Sequence, residues 1–467
     1  MRRTLGDCAV VLGGSVAGLL AARVLTERFA TVVVVERDRL PNGAEPRRGV
    51  PQGKHIHGLL AGGQQAIEQL LPGLTKELAA DGVPVGDPLA DLRVCLNGHH
   101  FRRGPSGLTL VSASRNVLEH HLRRRIRSLP AVSLIDRCDV VGLVEGGGRI
   151  TGVRMLRRID DSVEEVLDVD LVVDATGRGS RAPVWLSDIG FPRPEEEQLR
   201  VDLGYTTRRY HLPPGALDGG LGLGVLQSPA PGHPRGAALA RLEHDVWMLT
   251  LIGLGGDHPP ALVEEFDRFA ESCGSEDIHR LIRAAEPIDA PVGFRFPAST
   301  RRRYERTRLP NNLVVLGDSL CSFNPVYGQG MSVAALEALT LARLLSTERV
   351  PPSHVMMRAL ARIVDVPWQM AGAVDQAFLP SDQRQALRDR LMTAYVDRVQ
   401  AAAEHDSAVG RAFLRVTGLV DPPGVLMRPG LLWRTLGVPL AVHAGSPGYA
   451  SSAQRSSDLS TDSWSSS

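Results

Sequence analysis

Cys8-Ala9-Val10-Val11-Leu12-Gly13-Gly14-Ser15-Val16-Ala17-Gly18 carries the decisive pattern of this chain. An apolar run that stops at glycine reads as a buried strand, Gly13–Gly18 as a tight turn, and Leu19–Leu25 as the continuing helix. Gly13, Gly14, Ala17 and Gly18 fit a dinucleotide fingerprint with one substitution, since the middle position that approaches a pyrophosphate is Ser15 rather than glycine. Such a turn leaves the amides at a helix N-terminus free to face a diphosphate, and Gly18 lets that helix pack closely on the strand. A second strand, Thr31–Val35, ends in Glu36, 18 residues after Gly18. A carboxylate there accepts hydrogen bonds from ribose hydroxyls and repels a 2′-phosphate, which favours the adenosine of FAD or NAD over NADP. An ordinary glycine turn before a buried helix is the bland alternative, and the position of Glu36 weighs against it.

The same run, preceded by Met1-Arg2-Arg3, imitates a secretory signal, but the strand, turn and helix account for it better. Across 467 residues, 43% hydrophobic and 22% charged side chains exclude wholesale disorder and predict about three structural units. Fifty-three basic against 52 acidic residues leave a net charge of +1, so no overall field draws in nucleic acid or an anionic membrane. No integral membrane segment is expected. Cys8, Cys95, Cys138, Cys273 and Cys321 are scattered and contain no C-x-x-C pair, which argues against a disulfide framework or zinc ribbon and for the cytoplasm.

Two further runs resemble the first strand: Leu167–Val173 before Asp174-Ala175-Thr176-Gly177, and Asn312–Leu316 before Gly317-Asp318. Together they predict one parallel sheet assembled from distant pieces. Val140–Val144 and Ile150–Leu156 read as a hairpin around Gly146-Gly147-Gly148, and the alternating texture from Gln198 to Pro297 as an antiparallel sheet. Helical patterns follow in Met331–Leu345, Val355–Leu379 and Asp382–Leu419, and Ser446–Ser467 has the composition of a disordered tail. The expected division is 1–75, 106–190 and 299–350 for a nucleotide-binding domain, 76–105 and 191–298 for a substrate domain, 351–445 for a helical region and 446–467 for the tail.

The stretch Gly317-Asp318-Ser319-Leu320-Cys321-Ser322-Phe323-Asn324-Pro325-Val326-Tyr327-Gly328-Gln329-Gly330-Met331-Ser332 resembles the G-D motif of the para-hydroxybenzoate hydroxylase-like, single-component FAD-dependent monooxygenases. The resemblance covers about residues 7–345 strongly and the helical remainder weakly. It implies an α/β fold: a Rossmann-like FAD-binding domain of the glutathione reductase type, an inserted antiparallel β-sheet substrate domain and a C-terminal helical region. It also implies that Asp318, after Gly317, bonds a ribityl hydroxyl, and that Pro325, Gly328, Gly330 and Met331 wrap the isoalloxazine edge. The helix after that turn would aim its positive end at the flavin N1–C2=O region, where charge accumulates on reduction.

By the same resemblance an arginine lies near the FAD phosphates; Arg47 and Arg48 both qualify, and the sequence does not separate them. Arg37 beside Glu36, Arg115 in Arg-x-x-Leu, and Val140, by its backbone near adenine, complete that half of the site. Asp174 and Gly177 stand where the family carries an Asp-Gly motif associated with FAD and the nicotinamide donor. Here the order departs from Ala-Asp-Gly, which leaves NADPH and NADH both open as transient donors. The wording around Arg48–Gln52 and Phe323–Gly330 looks most like secondary-metabolism monooxygenases, including polyene epoxidases of polyether antibiotic pathways.

The family's chemistry uses O2 and a flavin C4a-hydroperoxide to epoxidise or hydroxylate a small hydrophobic organic substrate, polyene or phenolic. No catalytic side chain is assigned, because an epoxidation needs no obligatory base. Tyr205, Trp247, Phe294 and Phe296 are candidates to line the substrate site, with core packing the plainer reading. His55 and His57 form an H-x-H pair without an evident third metal ligand, so packing beside the flavin is preferred and no metal is expected. The run Gly219–Gly224 lacks the strand and helix of a second nucleotide loop. A prenyl-lipid reductase, a halogenase and a flavin-bearing binding module are the competing classes; Trp185, Trp247, Trp368, Trp433 and Trp464 are isolated and give no Trp-x-Trp halogenase element. The chain is expected to be a monomer or homodimer.

Overall fold

A computed structural model describes residues 4–158, 163–213, 216, 222–376, 378 and 387–437. The expected tail at 446–467, Met1–Arg3 and the first half of the Gly219–Gly224 run, 219–221, lie outside the described residues. At the centre is a five-stranded parallel sheet in the order Leu313–Val315, Leu171–Asp174, Gly6–Leu12, Phe29–Val35, Val132–Ile135. Ala9–Leu12 are fully buried, as a strand covered on both faces requires. Helices Val16–Leu25 and Gln329–Leu344 pack on each other and on the sheet, and Arg115–Arg127 lies against the first of them.

The apolar run Leu167–Val173 is not one strand. Glu164–Asp168 closes a three-stranded antiparallel meander with Arg149–Arg157 and Cys138–Gly146, whereas Leu171–Asp174 enters the parallel sheet. The chain changes sheets at Asp170, whose Oδ2 accepts from the amides of Asp7 at 2.7 Å and Cys8 at 3.1 Å and so anchors the start of the first strand.

The second large sheet is ordered Cys321–Ser322, Val292–Arg302, Glu196–His211, Val246–Gly253, Arg235–Arg241, Gly224–Gln227, Leu92–Leu96, His99–His100. Every pairing is antiparallel except Gly224–Gln227 with Leu92–Leu96. Strand Val292–Arg302 runs through the division drawn at 298/299 and meets Cys321–Ser322 within the G-D motif, which joins the large antiparallel sheet directly to the segment that follows the parallel one. Strand periodicity sends Tyr210 and Trp247 to one face, where they pack with Phe266 and Phe269, and Tyr205 and Phe296 to the other. Trp247 therefore leaves the list of candidate substrate-lining residues.

The helical region divides between two cores. Ser353–Gln376 packs Met356, Met357, Leu360 and Val364 onto the nucleotide half. Leu387–Ala403 and Ser407–Thr417, separated where Asp406 caps the second helix, pack Val399 and Phe413 with Leu89, Val94 and Phe101 at the far edge of the large antiparallel sheet. The continuous helix read over Asp382–Leu419 is thus broken at 404–406, and 381–386 lie outside the described residues.

Candidate active site

Strands Gly6–Leu12, Leu171–Asp174 and Leu313–Val315 end side by side, and ligands of open α/β sheets bind outside such carboxyl ends. Leu12 O accepts from Ala175 N, and Asp174 O from Leu316 N. Gly13 has φ +100°, and a Cβ there would stand 2.5 Å from Ala175 O. A Cβ on Gly18 would fall 1.8 Å from Gly13 O, which is why the helix after the turn can sit so close.

Ser15 is the N-cap of helix Val16–Leu25 and makes no capping bond. Its hydroxyl turns to Glu119 Oε2, at 3.1 Å, and accepts from Arg115 at 2.6 Å. Glu36 is buried and accepts from Gly14 N at 2.8 Å and Asp38 N at 2.9 Å. The structure separates the two candidate arginines: Arg47 is buried, pairs with Glu36 at 3.2 Å and contacts Glu119, whereas Arg48 is exposed, as is Arg37. Burial works against the Arg47 charge, but Glu119, Glu36 and Asp38 together outweigh it and hold its pKa above the ordinary value. Val140 sits at a bulge two residues into the strand whose first amide, Cys138 N, donates to Glu36 O at 3.0 Å.

Gly317 closes the site from the other end of the chain. Its φ is +60°, and a Cβ on it would meet Ala17 Cβ at 2.8 Å, so the two glycine turns touch. Asp318 follows, half-buried, and takes no hydrogen bond from the described residues. Although its surface keeps some access to solvent, enclosure pushes its carboxyl pKa up, against the pull of Arg115, Arg178 and Arg302. Gly330 leaves room beneath it, since a Cβ there would be 3.7 Å from Asp318 Oδ1. Pro325 is exposed on a short 3-10 turn, Met331 is buried in helix Gln329–Leu344, and that helix is capped by Gly328, which has no side chain to satisfy its first amides.

Asp174 is fully buried and its carboxylate is spent within the chain: Oδ1 accepts from Thr176 N and Oγ1 at 3.0 and 2.6 Å, Oδ2 from Ser180 Oγ at 2.5 Å. It holds the turn whose Gly177 N donates to Ser319 Oγ at 2.8 Å.

His55 Nδ1 lies 2.8 Å from Thr207 Oγ1, and its ring packs near Tyr205 and Phe294 with centroids 6.0 and 5.5 Å away. His57 Nδ1 bonds His55 O at 3.0 Å. Burial, with the nearby charges of Lys54 and Arg115 respectively, lowers the two pKa values to about 4 and about 3, so both rings are neutral at physiological pH. Among the described residues there is no cluster suited to a metal ion.

Sequence reasoning missed Glu119, Arg178, Glu337 and Asp375. Glu119 stands one helical turn after Arg115, at the i+4 spacing that would have linked them. Arg178 follows Gly177 directly and lies over the Phe296 ring at 4.7 Å. Glu337 and Asp375 carry no local signal, since their partners are 20 to 51 residues away.

The donor set fits FAD. A helix start without a side-chain cap, a glycine cradle, a buried carboxylate at the end of the second strand and an unbonded Asp318 suit diphosphate, adenosine and ribityl chain in that order. No family model matches the chain. It is 34% identical over 432 residues to protein Rv3254 of Mycobacterium tuberculosis, covering 89% of this chain and 90% of that one. It is 25% identical over 368 residues to ubiquinone hydroxylase UbiL of Rhodospirillum rubrum, covering 74% of each. Among solved structures, p-nitrophenol 4-monooxygenase PnpA of Pseudomonas putida shares the fold with a TM-score of 0.60 at 16% identity, covering 90% of this chain and all of that one. Flavin-dependent brominase Bmp2 shares it with a TM-score of 0.62 at 15% identity, covering 88% and 93%. The chain belongs to the same family as Rv3254, is similar in sequence to a ubiquinone hydroxylase, and shares its fold with flavin-dependent enzymes.

Proposed function

We propose that the protein uses FAD, electrons from NAD(P)H and one atom of O2 to hydroxylate or epoxidise a small hydrophobic intermediate of secondary metabolism in the cytoplasm. The observation that carries this reading is the contact of Ala17 with Gly317, which brings the dinucleotide turn directly against the G-D motif. Bound FAD supplies the redox chemistry and the activation of O2. The chain supplies position, charge and dryness. The amides at the start of helix Val16–Leu25, with Ser15 and Arg115, would hold the diphosphate; Glu36 the adenosine ribose; and Asp318 the ribityl chain. The first amides of helix Gln329–Leu344 would stabilise negative charge on the isoalloxazine edge. Neutral His55 and His57 add hydrogen bonds without adding charge.

A relative named for ubiquinone hydroxylation supports hydroxylation ahead of epoxidation. Free cysteines and the absence, among the described residues, of a helix long and apolar enough to cross a membrane are compatible with the cytoplasmic setting. The test is whether the purified chain is yellow, consumes O2 with NAD(P)H when phenols or polyenes are added, and inserts labelled oxygen into the product. A chain that stays colourless after incubation with FAD overturns the reading, and a reduced product free of label replaces it with a reductase.

A further inference from the structure

The face of the antiparallel sheet turned toward the Asn324–Gly330 turn is apolar: Leu203, Ile252, Leu254 and Phe296 are buried there, with Val326 and Phe378 packed against them. Asp375, in the last turn of helix Ser353–Gln376 and 4% exposed, adjoins this cluster. Its backbone oxygen accepts from Phe378 N at 3.2 Å, and its Oδ1 accepts from Asn324 Nδ2 and from the Tyr327 hydroxyl, each at 2.7 Å. Oδ2 is equally enclosed and has no partner among the described residues. No arginine, lysine or histidine pairs with Asp375 among them. From the sheet side, Tyr205 lies within reach of the Asp375 charge, which adds to burial in holding the phenol well above its usual pKa.

Two donors on Oδ1 and none on Oδ2 leave a half-satisfied carboxyl beside an apolar wall, and a buried acceptor without a donor is costly. Holding the Asn324–Tyr327 turn needs only Oδ1. Resting on the monooxygenase reading above, we propose that Asp375 Oδ2 is the polar anchor of the substrate site and accepts a hydrogen bond from the hydroxyl of an otherwise apolar phenol. A plain polyene would leave Oδ2 as it stands, whereas a phenol satisfies it and gains electron density in the ring through the bond to the carboxyl group. The anchor therefore selects hydroxylation of donor-bearing rings over epoxidation of bare alkenes. Burial raises the Asp375 pKa, against the Tyr327 and Asn324 bonds, and a further hydrogen bond donated to the carboxylate would lower it.

The experiment is calorimetric titration of the FAD-loaded protein with probe pairs that differ only in the donor: 1-naphthol with 1-methoxynaphthalene, and 4-hexylphenol with 4-hexylanisole. Asp375→Asn keeps an oxygen for Tyr327 and Asn324 and replaces the open acceptor with an amide NH2. The wild type is expected to bind each phenol at least about tenfold more tightly than its ether, and Asp375→Asn to bring the two within about threefold with the flavin spectrum unchanged. A wild type that binds phenol and ether equally or binds neither, or a preference that survives in Asp375→Asn, overturns the proposal. A chain that never takes up FAD fails the monooxygenase reading instead, and titration of that chain still reads the hydroxyl preference.

Discussion

The amide of Gly317 donates to Glu337 Oε2 at 2.6 Å, while Glu337 Oε1, in a wholly buried side chain, has no partner among the described residues. Burial pushes this carboxyl up to about 8, with the Gly317 amide pulling it down and the Asp318 charge pushing it further up. The group is thus protonated in the folded protein at neutral pH and ionised in the unfolded chain, whose ordinary value is 4.5. Its contribution to stability is full below about 4.5 and is lost as pH rises toward about 8. Glu337→Gln keeps an oxygen for Gly317 and cannot ionise. Denaturant unfolding between pH 5 and 8 should show wild-type stability falling relative to the variant by on the order of a few kcal/mol. Parallel curves would refute the assignment.

Gly317 touches Ala17 at a positive φ, so Gly317→Ala combines backbone strain with a 2.8 Å approach. The substitution should cost about 1–3 kcal/mol in thermal unfolding and reduce FAD content in the purified protein.

Asp318→Ala removes a half-buried carboxyl that takes no hydrogen bond from the described residues. Folding stability should stay within about 1 kcal/mol of wild type while FAD binds roughly ten- to a hundredfold more weakly, as read by flavin fluorescence titration. A variant as yellow as wild type would remove Asp318 from the ribityl contact.

Glu119 holds Arg47 and Arg115 beneath the dinucleotide turn. Glu119→Gln strips a buried partner from both, and the stability loss should reach about 3–5 kcal/mol even without FAD. Glu36→Ala should instead act mostly on FAD, weakening it by on the order of 1–3 kcal/mol through lost ribose bonds.

How much of this was legible in the sequence follows from where the information lies along the chain. Strands Gly6–Leu12 and Leu313–Val315 announce themselves because burial on both faces demands continuous apolar residues. The break between Asp168 and Leu171 hides inside a similar run, because the residue that marks it, Asp170, works on Asp7 and Cys8 more than 160 positions earlier. Arg47 and Arg48 are identical in type and adjacent, and only the positions of Glu36 and Glu119 in space tell them apart. Trp247 reads as pocket or core, with core the plainer, since strand alternation assigns faces only relative to a neighbour whose register is known.

The far edge of the large antiparallel sheet is completed late as the protein is made. Leu89, Val94 and Phe101 leave the ribosome early, but Val399 and Phe413, which cover them, emerge some three hundred residues later. During that interval the nascent chain carries an uncovered oily strip at a sheet margin, the kind of surface that chaperones shield and that aggregates when they are scarce. Expression in a host with limited holdase capacity should be set by how quickly the ribosome reaches those last helices.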